Sequence, residues 1–207
     1  MIISIEGNIG SGKSTLLNLL KEKYNDKVIF VDEPVSEWND VKDNDKSVLE
    51  LFYQDKKTYS FTFQVLAYIT RLKKILDAIE LDKEKTIICE RSIFTDKYIF
   101  AKMLYQQKYI SEIEWKTYNY WFDTFKEKTK LDSIIYVKTE PETCLGRIKD
   151  RNRDGETNIS IEYLKHCHDL HQEWLGNNSL NVIVFDGNNE LNKIDKDDYL
   201  NQLNLTL

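Results

Sequence analysis

The chain has 207 residues, 41% of them hydrophobic, which is enough for one α/β domain over residues 1–207. Its 29 Lys and Arg against 35 Asp and Glu give a net charge of −6, so the overall field disfavours a nucleic-acid partner. Apolar runs are too short to span a bilayer, so we expect no membrane partner. The 12 Tyr, 9 Phe and 4 Trp suit a pocket that stacks flat ring systems.

The first strand leads directly into a glycine-rich loop. Ile2 to Glu6 is an apolar strand pattern, and residues 7–14 read GNIGSGKS, which fits G-x-x-x-x-G-K-[ST]. Leucines at helical spacing then predict a helix over 15–24, so strand, loop and helix stand in the order of a P-loop. The glycines and the helix N-terminus would cradle phosphate, Lys13 would supply charge, and Ser14 a hydroxyl for Mg²⁺. A signal or transit peptide is not expected, because this loop begins at Gly7.

Strands and helices alternate along the rest of the chain. Further strands are predicted over 27–31, 86–89, 134–137 and 182–185. Helices are predicted over 47–54, 59–78, 93–106, 111–127, from 141 into the basic run that ends at 153, 161–175 and 195–203. The helix over 59–78 should bury a stripe formed by Phe63, Leu66, Ile69, Leu72 and Leu76. This alternation predicts a five-stranded parallel sheet flanked by helices.

Polar residues follow two of these strands. Glu33 precedes Pro34, which favours an extended backbone at the end of the second strand, and Trp38 follows in the loop. Glu90 and Arg91 end the third strand. Ligands of open α/β sheets bind at this carboxyl edge, so we expect these side chains to meet the P-loop there.

The cysteines Cys89, Cys144 and Cys167 are odd in number and form no C-x-x-C pair. They lie in predicted strands and helices, so we expect them to be reduced core residues of a cytoplasmic protein.

Five motifs in order resemble the deoxyribonucleoside kinase family of deoxycytidine, deoxyguanosine and insect multisubstrate kinases. They are the P-loop through Thr15, Glu33-Pro34-Val35 with Trp38, Gln64, Glu90-Arg91-Ser92, and the arginine run through Arg153 with Glu156. The resemblance covers nearly the whole chain. It implies a P-loop kinase fold with an arginine-rich lid at about 147–157, and ATP with Mg²⁺ as phosphoryl donor to a deoxynucleoside 5′-hydroxyl.

The resemblance also implies roles for single residues. Glu33 would take the 5′-hydroxyl proton beside Arg91, and Glu90 would help Ser14 place Mg²⁺. Arg147, Arg151 and Arg153 would close over the phosphates with Lys13, whereas Lys149 reads as a surface residue. ATP would contact the whole loop, which comprises Gly7, Asn8, Ile9, Gly10, Ser11, Gly12, Lys13, Ser14 and Thr15. Asp186, in the loop 186–190, would border its adenine.

On the nucleoside side, Gln64 would pair with the base, and Trp38, Phe63 and Phe100 would flank it. Tyr53 and Glu156 would hold the sugar 3′-hydroxyl. Arg71 and Asp96 match the arginine–aspartate pair of the deoxycytidine and purine branch, which favours those bases over thymine. Gly155 stands where many relatives carry a second acidic residue. The family is commonly dimeric, and the segment 118–121 would be a candidate contact in a homodimer.

Three alternatives share the P-loop. A nucleoside monophosphate kinase resembling thymidylate kinase would need extra positive charge for the acceptor's own phosphate. A GTPase is suggested by Asn192-Lys193-Ile194-Asp195, but this N-K-x-D lies after the last strand and no D-x-x-G accompanies it. A non-catalytic nucleotide-binding regulator would have no reason to keep Glu33, Gln64, Glu90 and Arg91 together.

Overall fold

A computed structural model of the chain describes residues 1–24, 27–153 and 156–189. Its strands are β1 Ile2–Glu6, β2 Val28–Val31, β3 Lys42–Asp43, β4 Lys46–Ser47, β5 Thr86–Glu90, β6 Ser133–Lys138 and β7 Asn181–Asp186. Five of them form one sheet in the order β2-β5-β1-β6-β7, and every pairing in it is parallel. The short strands β3 and β4 form a separate antiparallel hairpin. The predicted five-stranded parallel sheet is therefore confirmed.

The described α-helices are α1 Lys13–Tyr24, α2 Val35–Asp40, α3 Val48–Gln54, α4 Lys56–Leu81, α5 Ile93–Thr95, α6 Lys102–Gln106, α7 Glu112–Phe125, α8 Pro141–Arg151 and α9 Ile161–Gly176. A π-helical segment, Asp96–Ala101, joins α5 to α6. Short 3₁₀ turns occupy Lys126–Thr129 and Glu156–Asn158. The predicted helix over 195–203, the N-K-x-D tetrapeptide and Gly155 lie outside the described residues.

Strand β1 lies at the centre of the sheet and is buried along its whole length. Its Ile5 pairs in register with Glu90 of β5 on one side and with Ile135 of β6 on the other. This register brings the carboxyl ends of β1 and β5 to the same level, with Gly7 and Arg91 directly beyond them. The loops that follow both strands therefore share one edge of the sheet.

Helix α4 differs from its prediction in length and in its buried face. Asp55 caps it by accepting a hydrogen bond from the Thr58 amide, and the helix continues to Leu81 instead of Ala78. The predicted stripe is wrong at Ile69, which is 51% exposed, because the buried face runs through Gln64, Ala67 and Arg71. The buried face includes the polar residues Gln64 and Arg71, so a purely apolar stripe does not describe it.

Three other local differences bear on the site. Trp38, expected in a loop, lies buried in α2. The helix predicted over 93–106 widens into the π-helical segment, a departure from α geometry that often marks functional sites. Helix α8 ends at Arg151 because Asn152 adopts a left-handed conformation with φ 45°, so it stops before the expected end of the basic run.

All three cysteines are free and buried, as predicted. Among the described residues, no helix combines the length and the apolar character needed to cross a membrane.

Candidate active site

A cavity of about 420 Å³ opens at the carboxyl edge of the sheet, between the P-loop, α4 and α9. The lining residues that the sequence singled out are Ile9, Gly10, Gly12, Lys13, Ser14, Thr15, Glu33, Trp38, Tyr53, Phe63, Gln64, Arg71, Glu90, Arg91, Asp96, Phe100, Arg147, Arg151, Arg153 and Glu156. The tertiary structure thus brings twenty of the expected residues to one cavity.

The loop over residues 7–12 has the backbone of a phosphate cradle. Gly10 and Gly12 adopt φ of 77° and 103°, a region that side chains disfavour. A Cβ at Gly7 would lie 2.6 Å from the Val137 carbonyl oxygen, so only glycine fits there. These glycines let the loop turn its amides inward in front of α1, which makes an anion-binding end.

Lys13 is buried at this end of the cavity. Its Nζ donates to the Asn8 carbonyl oxygen at 2.7 Å, within the loop itself. Burial, and to a smaller extent the nearby Arg91 charge, lower the Lys13 pKa to about 8. Without a ligand, positive charge is therefore disfavoured here, and an anion would restore it.

Ser14 and Glu90 meet beside Lys13. The Ser14 hydroxyl donates to Glu90 Oε1 at 2.9 Å. No group of three or more His, Cys, Asp or Glu side chains suited to a metal occurs within the described residues. One hydroxyl and one carboxylate do fit Mg²⁺, which usually takes one or two protein ligands and completes its shell with water and phosphate oxygens.

Glu33 lies between two buried arginines. Arg91 Nη1 donates to Glu33 Oε1 at 2.6 Å, and Arg71 Nη2 donates to the same oxygen at 3.1 Å. The charges of Arg91 and Arg71 outweigh the opposing effect of burial and lower the Glu33 pKa to about 2. Glu33 is therefore ionised at neutral pH and held in one orientation.

Arg91 itself has a strained backbone, with φ 62°. Its Nη2 also donates to the Gly7 carbonyl oxygen at 3.3 Å. This guanidinium therefore connects the start of the P-loop with Glu33, and the surrounding structure holds it in a conformation that costs free energy.

Arg71 is the centre of a hydrogen-bond network, of which the sequence predicts only the contact with Asp96. The expected pair is present, with Arg71 Nε donating to Asp96 Oδ2 at 2.9 Å, and both side chains are 2% exposed. In addition, Arg71 Nη1 donates to the Glu90 carbonyl oxygen at 2.8 Å. Since Nη2 contacts Glu33, one guanidinium joins the predicted base-reading pair to the predicted proton acceptor. No sequence signal indicated that link.

The end of the cavity near α2, α3 and α4 is aromatic. Trp38 and Phe63 make an edge-to-face contact with ring centroids 5.4 Å apart, and the Trp38 indole N–H donates to Thr70 at 3.0 Å. Phe63 stacks on Phe52 at 4.8 Å. Gln64 lines the same cavity and is buried, and its amide oxygen accepts no hydrogen bond in the described part of the chain. Such a group points to a polar ligand.

Tyr53 and Glu156 both line the cavity. Burial raises the pKa of the Tyr53 phenol well above its usual value, and the adjacent negative charge of Glu156 raises it further. Glu156 also accepts hydrogen bonds from Arg151 at 2.5 Å and from Arg153 at 3.3 Å. The expected sugar-binding carboxylate is thus also the partner of two lid arginines.

Arg147 contacts the backbone on two sides. Its Nη1 donates to the Ser11 carbonyl oxygen at 3.2 Å, and its Nη2 donates to the carbonyls of Asn188 and Asn189. Arg147 thereby ties α8 to the P-loop and to the loop that follows β7.

Some expected contacts do not reach the cavity. Asp186 is the clearest case, because its carboxylate accepts hydrogen bonds from Asn188 and Asn189 instead. Gly7, Asn8 and Ser11 do not line the cavity either, and the Asn8 amide donates to the Leu164 carbonyl of α9.

Sequence reasoning missed four lining residues, which are Leu49, Phe52, Ala67 and Tyr163. Ala67 could have been predicted from helical spacing, since it lies on the same face of α4 as Gln64 and Arg71. Tyr163 reaches the cavity from α9, and its local sequence contains no pattern that predicts this position.

The parallel sheet, the glycine loop with its buried lysine, and the clustered arginines define this protein as a P-loop kinase. The deoxynucleoside kinase family model matches residues 3–206. The chain therefore belongs to the deoxynucleoside kinase family, whose members transfer phosphate from ATP to deoxynucleosides in salvage.

Proteins similar in sequence to this chain carry the names of deoxynucleoside kinases. A probable deoxycytidine kinase of Fowlpox virus is 42% identical over 181 residues, which cover 86% of this chain and 72% of that protein. Deoxycytidine kinase of Homo sapiens is 39% identical over 84% of this chain and 74% of its own length. The mitochondrial deoxyguanosine kinase of Xenopus laevis is 34% identical, with 84% and 72% covered.

Proposed function

We propose that this kinase phosphorylates the 5′-hydroxyl of deoxycytidine or a purine deoxynucleoside, with Glu33 accepting the hydroxyl proton. The main support for the proposal is that Arg71 and Arg91 both donate hydrogen bonds to Glu33. Within the described residues, both hydrogen bonds to this carboxylate fall on Oε1. Oε2 is then the oxygen that can accept the proton.

A carboxylate with a pKa of about 2 is a weak base. Phosphoryl transfer suits such a group because its transition state is loose, so the attacking hydroxyl needs orientation more than early deprotonation. Glu33 would orient the 5′-hydroxyl toward the γ-phosphate and take its proton late. Arg91 would keep Glu33 in place and contact the same 5′-oxygen.

The phosphate end would bind ATP through the P-loop amides and Lys13. Positive charge supplied at fixed positions stabilises charge that develops on the transferring group. Arg147, Arg151 and Arg153 would provide such charge from the opposite wall of the cavity. Mg²⁺ would be held by Ser14 with help from Glu90, and when bound it would neutralise charge on the phosphates.

The base preference follows from the buried Gln64 and the Arg71–Asp96 pair. The Gln64 amide offers one donor and one acceptor edge to a base. Asp96 accepts from amino groups and repels carbonyl oxygens, while Arg71 fills the space that a thymine methyl would need. Cytosine and adenine carry an amino group where thymine carries a carbonyl, so thymidine should be the poorer substrate. The names of the relatives support this direction.

Tyr53 and Glu156 would bind the sugar 3′-hydroxyl, with the Tyr53 ring crowding the 2′ side. That crowding would select deoxyribose over ribose.

The direct test is a phosphorylation assay with ATP and Mg²⁺ against deoxycytidine, deoxyadenosine, deoxyguanosine, thymidine, their ribose counterparts and deoxynucleoside monophosphates. We expect the highest kcat/KM with deoxycytidine or a purine deoxynucleoside. Highest turnover of thymidine would contradict the base assignment. Highest turnover of a monophosphate would contradict the acceptor class.

We further propose a cytoplasmic homodimer. The outer faces of α4 and α7 expose Ile69, Ile113 and Trp121, which are 51%, 70% and 49% accessible. An apolar patch on two adjacent helices is typical of an interface, and three buried free cysteines suit a reducing compartment. Sedimentation should give a dimer that Ile69→Lys with Trp121→Lys converts to a monomer.

A further inference from the structure

Glu156 is positioned between two parts of the site. Its Oε2 accepts from Arg151 Nη2 at 2.5 Å, and its Oε1 accepts from Arg153 Nη1 at 3.3 Å. The carboxylate is 6% exposed, whereas the two arginine side chains are 34% and 38% exposed. A buried anion thus anchors two partly solvated cations.

The backbone holds Glu156 in place. The Glu156 amide donates to the Arg153 carbonyl oxygen at 3.1 Å, and the Ile159 amide donates to the Glu156 carbonyl oxygen at 3.0 Å. Ile159 is itself buried against α8 and α9. The backbone of Glu156 is therefore fixed, while a free arginine side chain explores many rotamers.

The pairing leaves charge for a ligand. Two guanidinium groups against one carboxylate leave one net positive charge, and both arginines line the cavity. Each guanidinium has five N–H donors in total. Among the described residues, each guanidinium makes one hydrogen bond, to Glu156, so its other donors can point to phosphate oxygens.

Glu156 also faces the proposed sugar end, where Tyr53 lines the same cavity. An ionised carboxylate has about four lone-pair sites, so it can accept from a hydroxyl without releasing either arginine. A sugar hydroxyl bound there would further restrict the carboxylate that orients both cations.

We propose that Glu156 is a positioning residue for Arg151 and Arg153, so that the nucleoside sugar and the phosphate-facing arginines are coupled through one carboxylate. This inference rests on the proposed function. It assigns Glu156 a part in phosphoryl transfer that does not require a 3′-hydroxyl on the substrate.

The test compares Glu156→Gln with Tyr53→Phe, each assayed on a deoxynucleoside and on its 2′,3′-dideoxy analogue. Tyr53→Phe should lose activity only where a 3′-hydroxyl is present. Glu156→Gln should lose activity on both substrates, because glutamine keeps the shape but not the charge that holds the arginines. With the dideoxy substrate we expect kcat to fall about tenfold to hundredfold, with little change in nucleoside KM.

Glu142→Gln is the matched control, since it removes an exposed carboxylate of α8 that pairs with Lys165 at 3.1 Å. Its kcat should equal that of the wild type on both substrates. If Glu156→Gln turns over the dideoxy substrate at the wild-type rate, Glu156 serves the 3′-hydroxyl alone and the inference is wrong.

A second measurement does not depend on turnover. Nitrogen-15 NMR of the arginine side chains should show restricted motion of the guanidinium groups of Arg151 and Arg153 in the wild type, assigned with Arg→Lys variants. Glu156→Gln should make both mobile, and unchanged signals would overturn the inference. If Glu156→Gln does not fold, Glu156→Asp keeps the charge but draws the carboxylate back from the arginines, so it should also lower kcat on both substrates, though by less, and wild-type kcat on the dideoxy substrate would overturn the inference. A wild type inactive on every deoxynucleoside but with these NMR signals would instead refute the proposed function.

Discussion

The two ends of the cavity are built in different ways. The proposed phosphate end comes largely from one continuous segment, residues 7–15, where the backbone conformation and the N-terminus of α1 favour an anion. The proposed nucleoside end is assembled from side chains of α2, α3, α4, the π-helical segment and α9. Phosphate is common to all substrates of P-loop enzymes, so its binding can be encoded locally. Recognition of a particular nucleoside instead depends on how distant helices pack.

The phosphate end should be the more sensitive to loss of one charge. Lys13→Ala should lower kcat/KM by about 10³–10⁵, the span expected for a cation at the transferring group. The fold should survive, because the Lys13 ammonium contacts the loop and the cavity instead of the apolar core. Steady-state kinetics and thermal unfolding would check both parts. Lys149→Ala, on the exposed face of α8, is the control and should behave as the wild type. Unfolding of Lys13→Ala at ambient temperature would assign the lysine a structural role.

Glu33 stands where the two ends meet. Glu33→Gln should lower kcat by about 10²–10⁴, the usual contribution of a general base, while nucleoside binding persists. Binding can be followed by calorimetry and kcat by product formation. Glu37→Gln changes a partly exposed carboxylate that pairs with Lys74, and it should leave kcat unchanged. A near-normal kcat for Glu33→Gln would remove Glu33 from the chemistry.

The nucleoside end should respond in selectivity more than in rate. Arg71→Met with Asp96→Ala should raise the thymidine to deoxycytidine ratio of kcat/KM by about ten- to hundredfold, since it opens space and removes the repelling carboxylate. Asp96→Ala alone should do less, because it leaves a buried guanidinium that has lost a partner. Competition assays with both nucleosides would measure the ratio. An unchanged ratio in the double variant would show that this pair does not read the base.

A smaller effect is expected at the sugar. Tyr53→Phe should weaken use of a deoxynucleoside by about 1–2 kcal/mol, or five- to thirtyfold in kcat/KM, which is the loss of one buried hydrogen bond. The 2′,3′-dideoxy analogue should be insensitive to the change. An equal loss with both substrates would place Tyr53 elsewhere than at the 3′-hydroxyl.

The smallest effect concerns the proton on Lys13. Its pKa is lowered from 10.5 to about 8, chiefly by burial, so its charge destabilises the folded state fully below pH 8, and this penalty disappears as pH rises from 8 to 10.5. ATP phosphates favour the charged form, so ATP binding at about pH 8.5 should take up a fraction of a proton, and almost none at about pH 6.5. Calorimetry in buffers of different ionisation enthalpy would detect it. In Lys13→Met this pH-dependent uptake should disappear, and its persistence would attribute it to another group.

Much of this site could be expected from sequence because its residues occur in recognisable local patterns. Glu33 beside Pro34 and Arg91 after Glu90 follow strands, and parallel strands bring their carboxyl ends together. Gln64 and Arg71 share a helical face, as their spacing requires. The prediction for Ile69 is wrong because the apolar residues of α4 fit more than one helical face. The face that is buried carries the polar residues Gln64 and Arg71, and their burial can be expected only when their hydrogen-bond partners are known.

By itself, the sequence determined the parallel sheet, the phosphate loop and the identity of most cavity residues, since these follow from hydrophobic periodicity and from contiguous motifs. The tertiary structure alone decided that Arg71 holds Glu33 as well as Asp96, that Glu156 binds Arg151 and Arg153, and that Tyr163 enters the cavity. Arg71 and Glu33 are 38 residues apart in the chain, yet one hydrogen bond joins them. Such contacts depend on how helices pack on the sheet, and local sequence specifies an amphipathic face without specifying what it will meet.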